Sequence, residues 1–99
     1  MNILITAASS AEAYRLKNQL NTDNIILGDY QELPAFMLKS ANMIKLPSPS
    51  SVSYMHEMLT LCLDKEINKV YALREEEFTN LVKAEQLFNE YGIVLVDGR

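Results

Sequence analysis

The chain has 99 residues, enough for one domain with an adequate core that buries roughly 65% of the unfolded surface. It is 48% hydrophobic and 22% charged with three Gly and three Pro, a composition that excludes disordered and collagen-like chains. The net charge is −4: residues 1–49 balance four basic against four acidic side chains, while residues 50–99 set five against nine, leaving no basic stripe for a phosphate backbone. Nucleic-acid binding is therefore not expected.

The N-terminus lacks a basic region before its short apolar run, and no segment approaches the roughly 20 apolar residues of a membrane span. Cys62 is the sole cysteine, which rules out an intrachain disulfide and fits a reducing compartment. These features predict a cytoplasmic protein that does not engage membranes.

In chain order, Ile3-Leu4-Ile5 is a short continuous apolar run that suits a strand covered on both faces. Ser9-Ser10-Ala11-Glu12 then fits a capping box, with Ser9 at the cap and Glu12 three residues on. The helix it opens carries Ala13, Leu16 and Leu20 and ends near Asn21-Thr22. A second strand is predicted over Asn24–Asp29, followed by a short helix around Leu33–Ser40 with Pro34 in its first turn. Met43–Leu46 is the third strand, stopped by Pro47-Ser48-Pro49.

From Val52 the period becomes helical, with Val52, Met55, Leu59 and Cys62 on one face. Lys69–Leu73 is the fourth strand. Glu75-Glu76-Glu77 opens one long last helix with the stripe Phe78, Leu81, Val82, Phe88 and Tyr91, ended at Gly92. Ile93–Val96 is the fifth strand. Strands alternating with helices predict a three-layer α/β Rossmann-like domain spanning residues 1–99, with a five-stranded parallel sheet in the order 3-2-1-4-5.

In such sheets a ligand sits beyond the carboxyl ends of the strands, where the order reverses. The residues expected there are Ser9, Ser10, Asp29, Arg74 and Glu75. Asp29 imitates the acidic residue that holds an adenosine ribose, yet the first loop, Thr6-Ala7-Ala8-Ser9-Ser10, has no glycine to let a pyrophosphate approach. The two serines can offer hydroxyls and amides to an anion, or simply cap the helix. Arg74 and Glu75 can orient a ligand, or form a solvated charge run that complements the helix dipole.

His56 has no Cys, Asp or Glu neighbours at metal-ligand spacing, so no metal or other cofactor is expected in this chain. Cys62 lies on an apolar stripe and reads as core. A single histidine cannot assemble a Ser/His/Asp set. A two-component receiver is excluded as well, because Ala7-Ala8 stands where an acidic pair would follow the first strand, and Pro47 where an Asp would end the third.

The segments Asn2–Thr6, Ile26–Asp29, Ala41–Pro47, the helix from Ser53-Tyr54 to Lys65-Glu66-Ile67, and Tyr91–Val96 resemble the N-terminal domain that precedes the catalytic part of ATP-grasp ligases, in its carbamoyl-phosphate-synthase-like branch. The resemblance implies a pre-ATP-grasp domain that helps frame an acceptor-substrate site. Two departures stand out: the first loop lacks the family's usual glycine, and the lobes that grip nucleotide and magnesium are absent from these 99 residues.

The expectation is a domain that does not catalyse alone and works with ATP-grasp lobes in the native chain or on a separate protein. An alternative is a free-standing interaction or regulatory module whose last strand, Ile93, Val94, Leu95 and Val96, forms a bare edge for a homodimer mate or another partner. The third strand, by contrast, is guarded by Lys45 and Pro47. A small independent enzyme using the Ser9, Asp29 and Arg74 crevice is the remaining alternative.

Overall fold

The structure is a computed structural model and describes residues 2–8, 10–20, 24–31 and 43–98. Five parallel strands form one sheet: β1 (Asn2–Ile5), β2 (Ile25–Asp29), β3 (Met43–Lys45), β4 (Ile67–Ala72) and β5 (Val94–Asp97). Their order is β3-β2-β1-β4-β5, as the alternation of apolar runs and helices predicts. The sheet reverses direction of growth between β1 and β4.

Four helices accompany the strands: α1 (Ala11–Leu20), α2 (Tyr54–Asp64), α3 (Glu75–Val82) and α4 (Glu85–Glu90). Side chains of β1 alternate between two apolar clusters. Leu4 joins Tyr54, Met58 and Cys62 of α2, Leu81 of α3 and Phe88 of α4 on one side. Ile3 and Ile5 join Ile25, Leu27, Met43 and Ala13 of α1 on the other.

Three details differ from the sequence reading. The buried face of α2 runs through Tyr54, Met58, Leu59 and Cys62, while Val52 precedes the helix and is fully exposed. Tyr54 and Met58 share the i, i+4 row with Cys62, and that row, not the one continuing from Val52, meets the sheet. The long last helix is two helices, broken at Lys83 and Ala84, and both pieces pack on β5. Its stripe is correspondingly shorter, since Val82 and Tyr91 are exposed while Leu81 and Phe88 are wholly buried.

At the start of α1, the Ser10 hydroxyl accepts from the Ala13 N–H at 3.4 Å and donates to the Ala7 carbonyl at 2.8 Å. Ser10 is thus a capping residue. Ser9, the expected cap, lies outside the described residues, as do the helix around Leu33–Ser40 and the Asn21-Thr22 end of α1. Gly92 closes α4 at φ +77°, where the Ile93 N–H reaches back to the Phe88 carbonyl at 2.9 Å.

Candidate functional site

Thr6, Asp29 and Arg74 stand at the carboxyl ends of β1, β2 and β4, which places them beside the reversal of strand order. Thr6 is wholly buried, and its Oγ1 accepts from the Leu73 N–H at 2.9 Å, tying the exit of β4 to that of β1. Asp29 is also wholly buried. Its carboxylate takes two hydrogen bonds from the Arg74 guanidinium, at 2.6 Å from Nη1 and 3.2 Å from Nη2, and a third from the Gln31 N–H at 3.1 Å.

A bidentate, charge-assisted pair of this kind fixes orientation as well as charge. The Asp29 hydrogen bond raises the proton affinity of Arg74 further. The guanidinium also lies over the Tyr30 ring, 4.7 Å from its centre. The Tyr30 hydroxyl in turn donates to Glu76 Oε1 at 2.6 Å, and that bond raises the phenol's pKa. Four side chains from two separate segments therefore interlock.

Glu77 lies behind this cluster, fully buried in the first turn of α3. Arg74 Nη1 is 4.0 Å from its Oε1, and neither carboxylate oxygen has a hydrogen-bond partner among the described residues. Burial pushes its pKa up to about 7, against the opposing pull of the Thr6 hydroxyl and Arg74. Tyr54 is a second buried group whose hydroxyl lacks a partner among the described residues; burial, and then the charge of Glu77, raises its pKa.

The remaining expected site residues are dispersed. Glu75 is exposed on the first turn of α3, and Ser10 is engaged with its own turn. An open groove beside the cluster is lined by Arg74, Glu75, Glu76, Thr79 and Asn80, with Asn80 Nδ2 anchored to the Pro49 carbonyl at 3.0 Å.

Two amides of the first loop are already engaged by backbone carbonyls. The Ala8 N–H bonds the Gly28 carbonyl at 3.0 Å and the Ser10 N–H bonds the Ala7 carbonyl at 2.9 Å. Ala7 adopts φ +56°, a conformation that costs a non-glycine residue on the order of 1 kcal/mol. A dinucleotide-binding turn keeps such amides open toward pyrophosphate. Here Asp29, which stands where a ribose-binding carboxylate would, is already gripped by Arg74.

Among the described residues, no group of three or more His, Cys, Asp or Glu side chains is placed to hold a metal. His56 is exposed, and Cys62 is wholly buried with its thiol pushed up to about 12. No helix of the described residues is long and apolar enough to cross a membrane. β5 is outermost in the sheet; Ile93 and Leu95 are buried, Val94 is half exposed and Val96 partly so.

The sequence model of the PylC-like N-terminal domain matches residues 3–96. The chain belongs to that family. The PylC-like N-terminal domain is a pre-ATP-grasp, Rossmann-like domain of ATP-grasp ligases, in agreement with the resemblance read from the strand segments. No curated protein matches the chain.

Among solved structures, the PylC-like chain is similar to a GalE-like L-threonine dehydrogenase from Cupriavidus necator in its holo form, with 17% identity and a TM-score of 0.61. That match covers 94% of this chain and 34% of the dehydrogenase. An L-threonine dehydrogenase from Clostridium difficile is similar at 12% identity and a TM-score of 0.58, covering 89% and 34%. The chain thus spans about a third of the length of either enzyme. At these identities the likeness establishes a shared Rossmann-like fold.

Proposed function

We propose that this domain is a non-catalytic wall of the acceptor-substrate site in an ATP-dependent ligase, with nucleotide and metal chemistry supplied by ATP-grasp lobes in the same protein or a partner. The observation that carries this reading is the interlocked Asp29–Arg74–Tyr30–Glu76 cluster at the strand ends, in a chain of the pre-ATP-grasp family. A wall must hold its polar groups still, and a buried bidentate pair capped by an aromatic ring does so. The groove along Arg74, Glu76 and Asn80 is where a small carboxylate or amine would lie against it.

The test is amide NMR of the purified chain with a mixture of free L-amino acids, alongside an assay of ATP hydrolysis. Expected are no ATP turnover and small, saturable shifts confined to the segments around Thr6, Tyr30 and Arg74–Asn80. ATP turnover by the chain alone, or shifts only at distant strands, would overturn the reading. The intact mass of the protein from its own cell then places the lobes: a value well above 11.2 kDa puts them in the same chain.

A second reading is motivated by β5, which ends the sheet with Val94 half exposed and carries neither the lysine nor the proline that guard β3. In that reading the module pairs with a second copy or another protein along residues 93–96.

A further inference from the structure

The Arg74 guanidinium is held by one buried carboxylate and stands 4.0 Å from another among the described residues. Asp29 faces it from the end of β2 and Glu77 from the first turn of α3. Both carboxylates are wholly buried, but they are not equivalently served: Asp29 receives several hydrogen bonds, whereas for Glu77 the described residues offer the pull of the Thr6 hydroxyl and the Arg74 guanidinium 4.0 Å away. An ionised, unpaired carboxylate in the interior is strongly unfavourable, whereas a neutral carboxyl group is tolerated.

The present arrangement suits a protonated Glu77. We infer that Arg74 serves both carboxylates, and that proton loss from Glu77 draws the guanidinium toward it and off the Tyr30 ring while one nitrogen stays on Asp29, giving the strand-end face two arrangements set by one buried proton. The proton passes to solvent and no other bond changes. The groups that face Glu77 and bias the choice are Arg74, Asp29 and Glu76, with Thr6 from the end of β1 and Tyr54 from α2.

Burial raises the Glu77 carboxyl to about 7, which places the change between the two arrangements near neutral pH. The Tyr30 hydroxyl stays with Glu76 in either, because that bond does not involve the guanidinium. Only the roof over the ring opens.

The experiment is carbon-detected NMR of the 13C-labelled chain between pH 5.5 and 9, following the Glu77 carboxyl carbon, the Arg74 Cζ and the Tyr30 ring carbons. Expected is one transition near 7 at Glu77, with the same midpoint at Arg74 and Tyr30, and its disappearance from Arg74 and Tyr30 in Glu77→Gln. Arg74 and Tyr30 signals that stay fixed while Glu77 titrates would overturn the inference, as would signals that move identically in Glu77→Gln. Should that variant fail to fold, the coincidence of the three midpoints in the unaltered protein decides the matter alone.

Discussion

Arg74 holds Asp29 through both terminal nitrogens, at 2.6 and 3.2 Å, and so joins the exits of β4 and β2 across the end of β1. The two ends of this pair are not symmetric. Asp29 is wholly buried, whereas the Arg74 side chain keeps a fifth of its surface in water and has Glu77 within reach.

Removal of the cation is accordingly the harsher change. Arg74→Leu leaves a buried carboxylate without its counter-charge and is expected to cost about 3–5 kcal/mol. Asp29→Asn is expected to cost less, because the guanidinium can turn to Glu77. Urea denaturation of both variants checks the order, and an equal or larger loss for Asp29→Asn would remove Glu77 as a substitute partner.

Glu77 makes stability fall as pH rises. Its folded-state pKa, about 7, lies above the ordinary 4.5, so the folded protein binds the proton more tightly than the unfolded chain. This contribution is fully present below pH 4.5 and is lost as pH rises through 7, amounting to on the order of 3 kcal/mol. The difference between wild type and Glu77→Gln, measured by denaturation from pH 4 to 9, isolates it: the variant should gain relative stability toward pH 9.

Gly28 has no space for a side chain. A Cβ there would lie 2.7 Å from Leu46 Cγ, and Leu46 is itself buried beside β2. Gly28→Ala should lower stability by about 1–3 kcal/mol through overpacking. Combined with Leu46→Ala, the losses should be clearly less than additive in thermal unfolding, since the second change clears the space the first needs.

Cys62 should be inert in the native protein. The thiolate is the reactive species, and burial pushes this thiol up to about 12. Alkylation by iodoacetamide at pH 8 is expected only after denaturation. Rapid reaction of the folded chain would show that α2 opens away from the sheet.

Val94→Lys tests the β5 edge. The residue is half exposed, so the change should move stability by no more than about 0.5 kcal/mol. If residues 93–96 seat a second copy, a concentration-dependent dimer seen by sedimentation will be abolished by this single substitution. Identical profiles for both proteins would rule out the edge as the interface.

The five strands were legible because each is a short apolar run, and a sheet covered on both faces demands such runs. The break between α3 and α4 was not, since the spacing of Leu81 and Phe88 is equally compatible with one continuous helix. Asp29 and Arg74 could be assigned to one crevice from topology, but their mutual grip depends on side-chain reach that spacing does not encode. Glu77 was hidden inside a run of three glutamates that resembles a solvated helix start. The available signal was its place four residues before Leu81, which puts it on the buried face of α3.

Among the described residues, the two sides of the sheet are unequally padded. α2, α3 and α4 together bury seven side chains, whereas Ala13 is the one residue of α1 that is fully enclosed. On that difference α1 is expected to open locally before the helices on the other face do. Its backbone amides should exchange with deuterium well before those of α2. For anyone splicing this unit into a larger protein, the α1 flank is expected to be the tolerant one, and α2 from Tyr54 through Cys62 the one where an insertion would undo the fold.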